Sequence, residues 1–244
     1  MSVGSQVQSY CVERRVTKVG KPSVAAPKGR EIADPINTSF PNGLTLRAAL
    51  AALQRGPVRY HRNNIIACEG DAADYIFLVV SGVVRSCKMF QNGTRSVVAF
   101  YLPGDLFGWS AQNYSLSVEA ATNAVVLFLK RDALMAVASR ESRVASFLLD
   151  LATKDLRRSQ EHALLMNRNA KSRVATFLVD LSKRSEARHI QLPMSHQDIA
   201  DHLGLKIETL SRTITQLQHS GFIARTSPRS LIVLNDYLLS QLVN

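Results

Sequence analysis

This chain of 244 residues contains no apolar run of about 18 residues, so no membrane-spanning helix is expected. It is also poor in cysteine. Cys11, Cys68 and Cys87 are odd in number and widely separated, which suggests neither a disulfide framework nor a C-x-x-C metal knuckle and fits a reducing cytoplasm. Cys68 and Cys87 fall in predicted strands, where thiols are buried and inert, while Cys11 is the more exposed and oxidisable. There is no phosphate-cradling glycine loop, no nucleophile elbow and no His/Glu set at metal-ligand spacing, so no enzyme is expected. Acids are scarce as well. Thirty Lys and Arg against 19 Asp and Glu leave a net charge of +11 and a pI near 10.0, a balance suited to a polyanionic partner. The excess sits at the ends: residues 1–55 carry +5, residues 56–167 carry +2 and residues 168–244 carry +4. No basic amphipathic helix of the kind that lies on a membrane surface is evident.

The most informative stretch that is present runs from Ser195 to Gly221. Ser195 precedes an apolar-periodic run with Asp198 three residues on, the pattern of a helix N-cap. Ile199, Ala200 and Leu203 share a face, and Gly204 allows the left-handed backbone that ends a helix and turns the chain. After Lys206, Leu210, Ile214 and Leu217 recur at helical spacing and define the buried side of a second helix. Helix-turn-helix proteins place the first residues of that helix against base edges, which here are Ile207, Glu208, Thr209, Ser211 and Arg212. A guanidinium can fork onto guanine, and a carboxylate can accept from cytosine N4. The alternative is a solvated face with an i, i+4 pair between Glu208 and Arg212.

Phe222 to Arg225 and Leu231 to Leu234 are short strand-like runs around Thr226-Ser-Pro-Arg-Ser, which makes the motif winged. Ser195, His196, Thr215, Arg225 and Arg229 are the candidates for phosphate contact or helix capping, although a solvated surface arginine is an equal alternative for Arg225 and Arg229.

Between Pro57 and Lys130 the pattern changes to short β-branched and aromatic runs: Asn64 to Cys68, Tyr75 to Val80, Val83 to Met89, Arg95 to Tyr101, Ser117 to Ala121 and Val125 to Leu129. Asn92-Gly93 is a hairpin turn, and Gly70, Gly82 and Gly104 mark corners, so a sandwich or roll is expected. A short helix then spans Arg131 to Ser139, and a long one spans Glu141 to Asn167. Steps of three and four residues link Val144, Leu148, Leu151, Asp155, Ser159, His162 and Met166, a coiled-coil seam that suits a homodimer. The other possibility is that this helix packs on its own roll. Residues 1–43 lack periodicity and read as a flexible arm. Their shortage of acids resembles an organelle transit peptide, but the amphipathic arginine helix is missing.

Gly70-x(5)-Ile76-Phe-Leu-Val-x-Ser-Gly82, Leu102-Pro-Gly-Asp-Leu-Phe-Gly108, the long helix, Asn169-Ala-Lys-Ser-Arg-Val-Ala-Thr-Phe-Leu178 and Ser195 to Gly221 together resemble the bacterial CRP/FNR regulators. The Glu208-x-x-Ser211-Arg212 set is similar to the FNR branch, and the lack of a cysteine cluster makes the chain most like FixK-type members. The resemblance implies an α+β chain with a cyclic-nucleotide-binding-like β-roll at 44–140, a dimerisation helix at 141–167 and a winged helix-turn-helix DNA-binding domain at 168–244. It implies a homodimer that reads double-stranded DNA at a TTGAT-N4-ATCAA palindrome and recruits RNA polymerase, through residues 85–95 and loops of the roll, mainly to activate genes for low-oxygen respiration.

Departures from the family narrow the ligand question. Phe107-Gly108 is followed by Trp109-Ser-Ala-Gln-Asn-Tyr-Ser-Leu-Ser117, without the arginine that holds a cyclic phosphate in the nucleotide-binding relatives, so no cAMP is expected. One arm cysteine does not supply the four thiolates of an iron–sulfur cluster. His61 or His162 as a haem ligand is the weaker reading, and no cofactor is expected. The alternative function is a regulator whose roll must take up a small ligand or haem before it binds DNA.

Overall fold

Side chains alternate along the strands and so build the first unit of the structure, a computed structural model that describes residues 54–185, 189–227 and 230–234. Strands β1 (Gln54–Tyr60), β2 (Ile65–Ala67), β3 (Tyr75–Ser81), β4 (Val84–Met89), β5 (Arg95–Tyr101), β6 (Leu106–Phe107), β7 (Ser117–Ala120) and β8 (Ala124–Lys130) form two antiparallel sheets, ordered β1-β8-β3-β6 and β2-β7-β4-β5. Phe77, Val79 and Val126 from the first sheet meet Val84, Tyr101, Val118 and Ala120 from the second. The rings of Phe77 and Tyr101 both stack on Phe107, with centroids 5.1 and 4.7 Å apart. The alternate residues Ile76, Leu78, Leu127 and Leu129 point the other way and bury against Leu134 of α1 (Arg131–Ala138) and against Val144 and Leu148 of α2 (Ser142–Leu165).

All six strands expected between Pro57 and Lys130 form, and two further ones, β1 and β6, accompany them. Strand β1 contains Gly56-Pro57, which reads as a break. It is tolerated because β1 is an edge strand whose register shifts between Arg55 and Val58. Strand β6 pairs only two residues with β3.

The second unit holds the end of α2, α3 (Ala170–Ser185), β9 (His189–Gln191), α4 (His196–Leu203), α5 (Ile207–His219), β10 (Ile223–Ser227) and β11 (Ser230–Val233). Its sheet has the order β10-β11-β9, so the wing gains a third strand that the sequence reading left out. The division between the units falls at Asp155/Leu156, inside α2. The N-terminal arm, Cys11 and Arg229 lie outside the described residues.

Three expectations need correction. The first is the seam. At 100° per residue, Val144, Leu148, Leu151, Asp155, His162 and Met166 share an arc of about 60°. That arc faces the chain itself: Val144 and Leu148 are 1% and 8% exposed in the roll's outer core, Leu151 packs beside them, and His162 stacks on His202. Ser159 is exposed, but off that arc. The uncovered stripe lies on the opposite side of α2, where Leu149, Leu156 and Leu164 are 68%, 59% and 66% exposed and the exposed Ala145 and Ala163 lie along one margin.

The second correction is Arg85. It is buried and donates from Nε and Nη2 to Glu119 Oε2 at 3.0 and 2.5 Å and from Nη2 to Asn63 Oδ1 at 3.0 Å, so it is not available to a polymerase. Within residues 85–95 the exposed part is the hairpin tip around Phe90.

The third concerns Cys68, while Cys87 is buried as expected. Cys87 is free and buried beside that ion pair, and burial, reinforced by Glu119, pushes its thiol up to about 12. Cys68 is also buried, but it is disulfide-bonded rather than a separate thiol.

Candidate nucleic-acid interface

Helix α4 begins where the sequence places a cap. Asp198 N–H donates to Ser195 Oγ at 3.1 Å, and Asp198 Oδ2 accepts in return from Ser195 N and Oγ at 3.4 and 2.7 Å. This reciprocal box satisfies amides that the helix leaves unpaired, and it holds the buried Asp198 carboxylate at the positive helix end. Ile199, Ala200 and Leu203 are buried. Gly204 then takes φ 59°, ψ 38°, and Leu205 N–H donates to Ala200 O at 2.9 Å, which closes the helix and redirects the chain.

Helix α5 follows two residues later. Leu210, Ile214 and Leu217 bury one face, and Thr213 joins them with its hydroxyl donated to Thr209 O at 2.8 Å. A helix with one face anchored in this way presents the other rigidly. That outer face carries Ile207, Glu208, Ser211, Arg212 and Thr215 exposed to solvent, with Thr209 half-buried at its margin. Glu208 and Arg212 make no ion pair with each other or with another described residue, so their hydrogen-bonding capacity is unspent. Thr215 differs, because its hydroxyl donates to Ser211 O at 3.1 Å.

His196 is half-buried in the first turn of α4. Next to it Gln197 is exposed, and its amide reaches Asp201 Oδ1 at 2.6 Å. On the wing, exposed Arg225 donates from Nε to Ser227 O at 3.3 Å. Across the base of the motif Lys171 Nζ lies 5.4 Å above the Phe222 ring. The structure therefore gathers the base-facing candidates on one surface of α5, flanked by the start of α4. It holds Arg225 separately on β10. Arg173, within the Asn169 to Leu178 segment, binds the turn between α4 and α5, donating to Leu203 O at 2.9 Å.

Comparison with known proteins agrees with this architecture. Residues 172–242 match the Crp-like helix-turn-helix domain and residues 57–141 match the cyclic nucleotide-binding domain. The chain is 41% identical over 203 residues to the nitrogen fixation regulation protein FixK of Azorhizobium caulinodans, covering 80% of this chain and 82% of that protein. It is 40% identical over 189 residues to FixK of Rhizobium meliloti, covering 76% and 86%. Among solved structures, FixK2 from Bradyrhizobium japonicum superposes with a TM-score of 0.74 at 37% identity, over 77% of this chain and 96% of that one.

Proposed function

The chain belongs to the CRP/FNR family of DNA-binding transcription regulators, with FixK among its relatives, and we propose that it is a homodimeric reader of a TTGAT-N4-ATCAA palindrome. The observation that carries this reading is the exposed, unpaired Glu208 and Arg212, one turn apart on a helix whose opposite face is buried. Arg212 would fork onto guanine O6 and N7, Glu208 would accept from a cytosine N4, and Ile207 would lie against a thymine methyl. A palindrome calls for a two-fold protein, and the stripe of Leu149, Leu156 and Leu164 on α2 supplies an apolar face for a second copy. Recruitment of RNA polymerase and a role in low-oxygen respiration follow from the likeness to FixK-type regulators, as does action in the cytoplasm.

The roll supports operation without cAMP. The residues after Gly108 include no arginine as far as Ser117, and the space between the sheets is filled by the rings of Phe77, Tyr101, Phe107 and Tyr114. One observation favours the effector-dependent alternative: among the described residues, the buried Ser86 Oγ and Trp109 Nε1 have no hydrogen-bond partner. The test is fluorescence anisotropy of the reduced protein, without ligand, against the palindrome and a scrambled duplex at one salt concentration. Selective binding is expected. Selectivity that appears only after addition of a nucleotide or haem would transfer the conclusion to the alternative.

A further inference from the structure

The last carbonyls of an α-helix have no amide of their own helix to accept from, and they carry its partial negative charge. The end of α4 and the turn that follows α2 meet on one side chain here. Arg173, in the first turn of α3, donates from Nη2 to Met166 O at 2.6 Å and from Nε to Arg168 O at 2.8 Å, immediately beyond the end of α2. From Nη1 it donates to Leu203 O at 2.9 Å and Gly204 O at 3.4 Å, the last residue of α4 and the turn glycine. A single planar cation therefore ties the long helix to the turn from which the recognition helix starts. The fit is close: a Cβ on Gly204 would lie 3.3 Å from Arg173 Nη1 and 3.4 Å from Met166 Sδ.

A second contact runs parallel to the first. His162 of α2 stacks on His202 of α4 with ring centroids 4.3 Å apart and planes 23° from parallel, and Phe177 of α3 meets His202 edge-on at 5.7 Å. Ring stacking holds a distance but leaves rotation soft. The guanidinium bonds are directed and forked, and they add the angle. Only Leu205 and Lys206 separate the clamped Gly204 from Ile207, where α5 begins, so a small rotation at the clamp displaces the residues that would face the bases.

We propose that Arg173 is a positioning residue for DNA reading: it fixes the recognition helix at a set angle to α2, and so sets the spacing at which two reading helices of a dimer engage together. This rests on the palindrome-reading dimer proposed above. Arg173 itself need touch neither base nor phosphate. Its removal would leave each half able to read, while the two halves would no longer be held in register, which lowers the effective concentration of the second contact.

The experiment compares the full chain with Arg173→Lys and His202→Ala on three duplexes: a lone half-site, the palindrome with a four-base spacer and the palindrome with a six-base spacer. Lysine keeps the charge but cannot span two helix ends. For Arg173→Lys the half-site affinity is expected to stay within about twofold of wild type, while the four-base palindrome weakens about tenfold and the preference for four over six bases shrinks. His202→Ala gives a smaller loss in the same direction, and Arg173→Gln stands in if the lysine variant does not fold. If half-site and palindrome affinities fall together, or neither falls, Arg173 is not a positioning residue. Loosened spacing in His202→Ala with none in the Arg173 variants overturns the role of the guanidinium. If the wild type itself ignores the spacer, the palindromic reading fails and takes this inference with it.

Discussion

Leu156→Ala tests which face of α2 meets a second copy. Leu156 is 59% exposed in the single chain, so somewhat more than half of its surface remains to be buried. Full burial of a leucine contributes about 1.5–3 kcal/mol, and truncation to alanine at this exposure forfeits about 1 kcal/mol per protomer. A two-fold interface counts the loss twice, which gives about 2 kcal/mol and a dimer dissociation constant raised about thirtyfold. Sedimentation equilibrium at several loading concentrations reads that shift directly. Val144→Ala is the control. Val144 is 1% exposed against the roll of its own chain, so its truncation should cost about 1–2 kcal/mol of fold stability and leave the dimer constant unchanged. The reasoning fails if Leu156→Ala associates like the wild type while Val144→Ala or Asp155→Ala falls apart.

Four further outcomes follow from the geometry. Arg212→Ala should weaken binding to the palindrome by about 1–3 kcal/mol with little change on random DNA, read by anisotropy on both duplexes. Glu119→Gln leaves the buried Arg85 without its counter-charge and should cost about 3–5 kcal/mol in urea unfolding. Burial lowers the pKa of His162 from its ordinary 6.5, so the unfolded chain takes up a proton that the folded one resists. Its contribution to stability is intact above 6.5 and is lost progressively as pH falls from there through the lowered folded-state value. His162→Phe, which keeps a ring for His202, should flatten this acid-side decline in melting temperature. Cys87, with its thiol raised to about 12, should resist iodoacetamide at neutral pH until the chain is unfolded, as mass spectrometry of labelled protein would show.

The helix-turn-helix was legible because its determinants are local. A cap, a glycine with positive φ and an apolar period of 3.6 act within a few residues, and Ser195, Gly204 and Leu210 all sit where they were expected. The strands were legible for the same reason wherever two residues alternate between core faces, as Phe77 and Leu78 do. Strand β1 was hidden by Pro57, whose tolerance depends on an edge position that only the assembled sheet defines. The seam shows the limit of periodicity. Steps of three and four residues identified an apolar face of α2 correctly, but the spacing does not say whether that face is covered by the same chain or by another one. The weaker stripe, three leucines flanked by the exposed Ala145 and Ala163, has fewer apolar residues than the opposite side, so periodicity favours the richer face. Arg173 was missed because its partners are backbone carbonyls, which leave no trace in residue type.

The crossing of the unit boundary by α2 bears on how the chain can be cut. A fragment starting at Arg168 would look natural from the motif, yet it discards Met166, whose carbonyl Arg173 holds, together with the His162 ring against His202 and the buried Leu165. It would leave Arg173 Nη2 without its acceptor and the His202 imidazole unstacked on its new surface. A fragment starting at Leu156 keeps all three. A reading fragment that keeps this support therefore includes nearly three turns at the end of the long helix, and a DNA-binding domain transplanted without them would carry the reading residues but not their support.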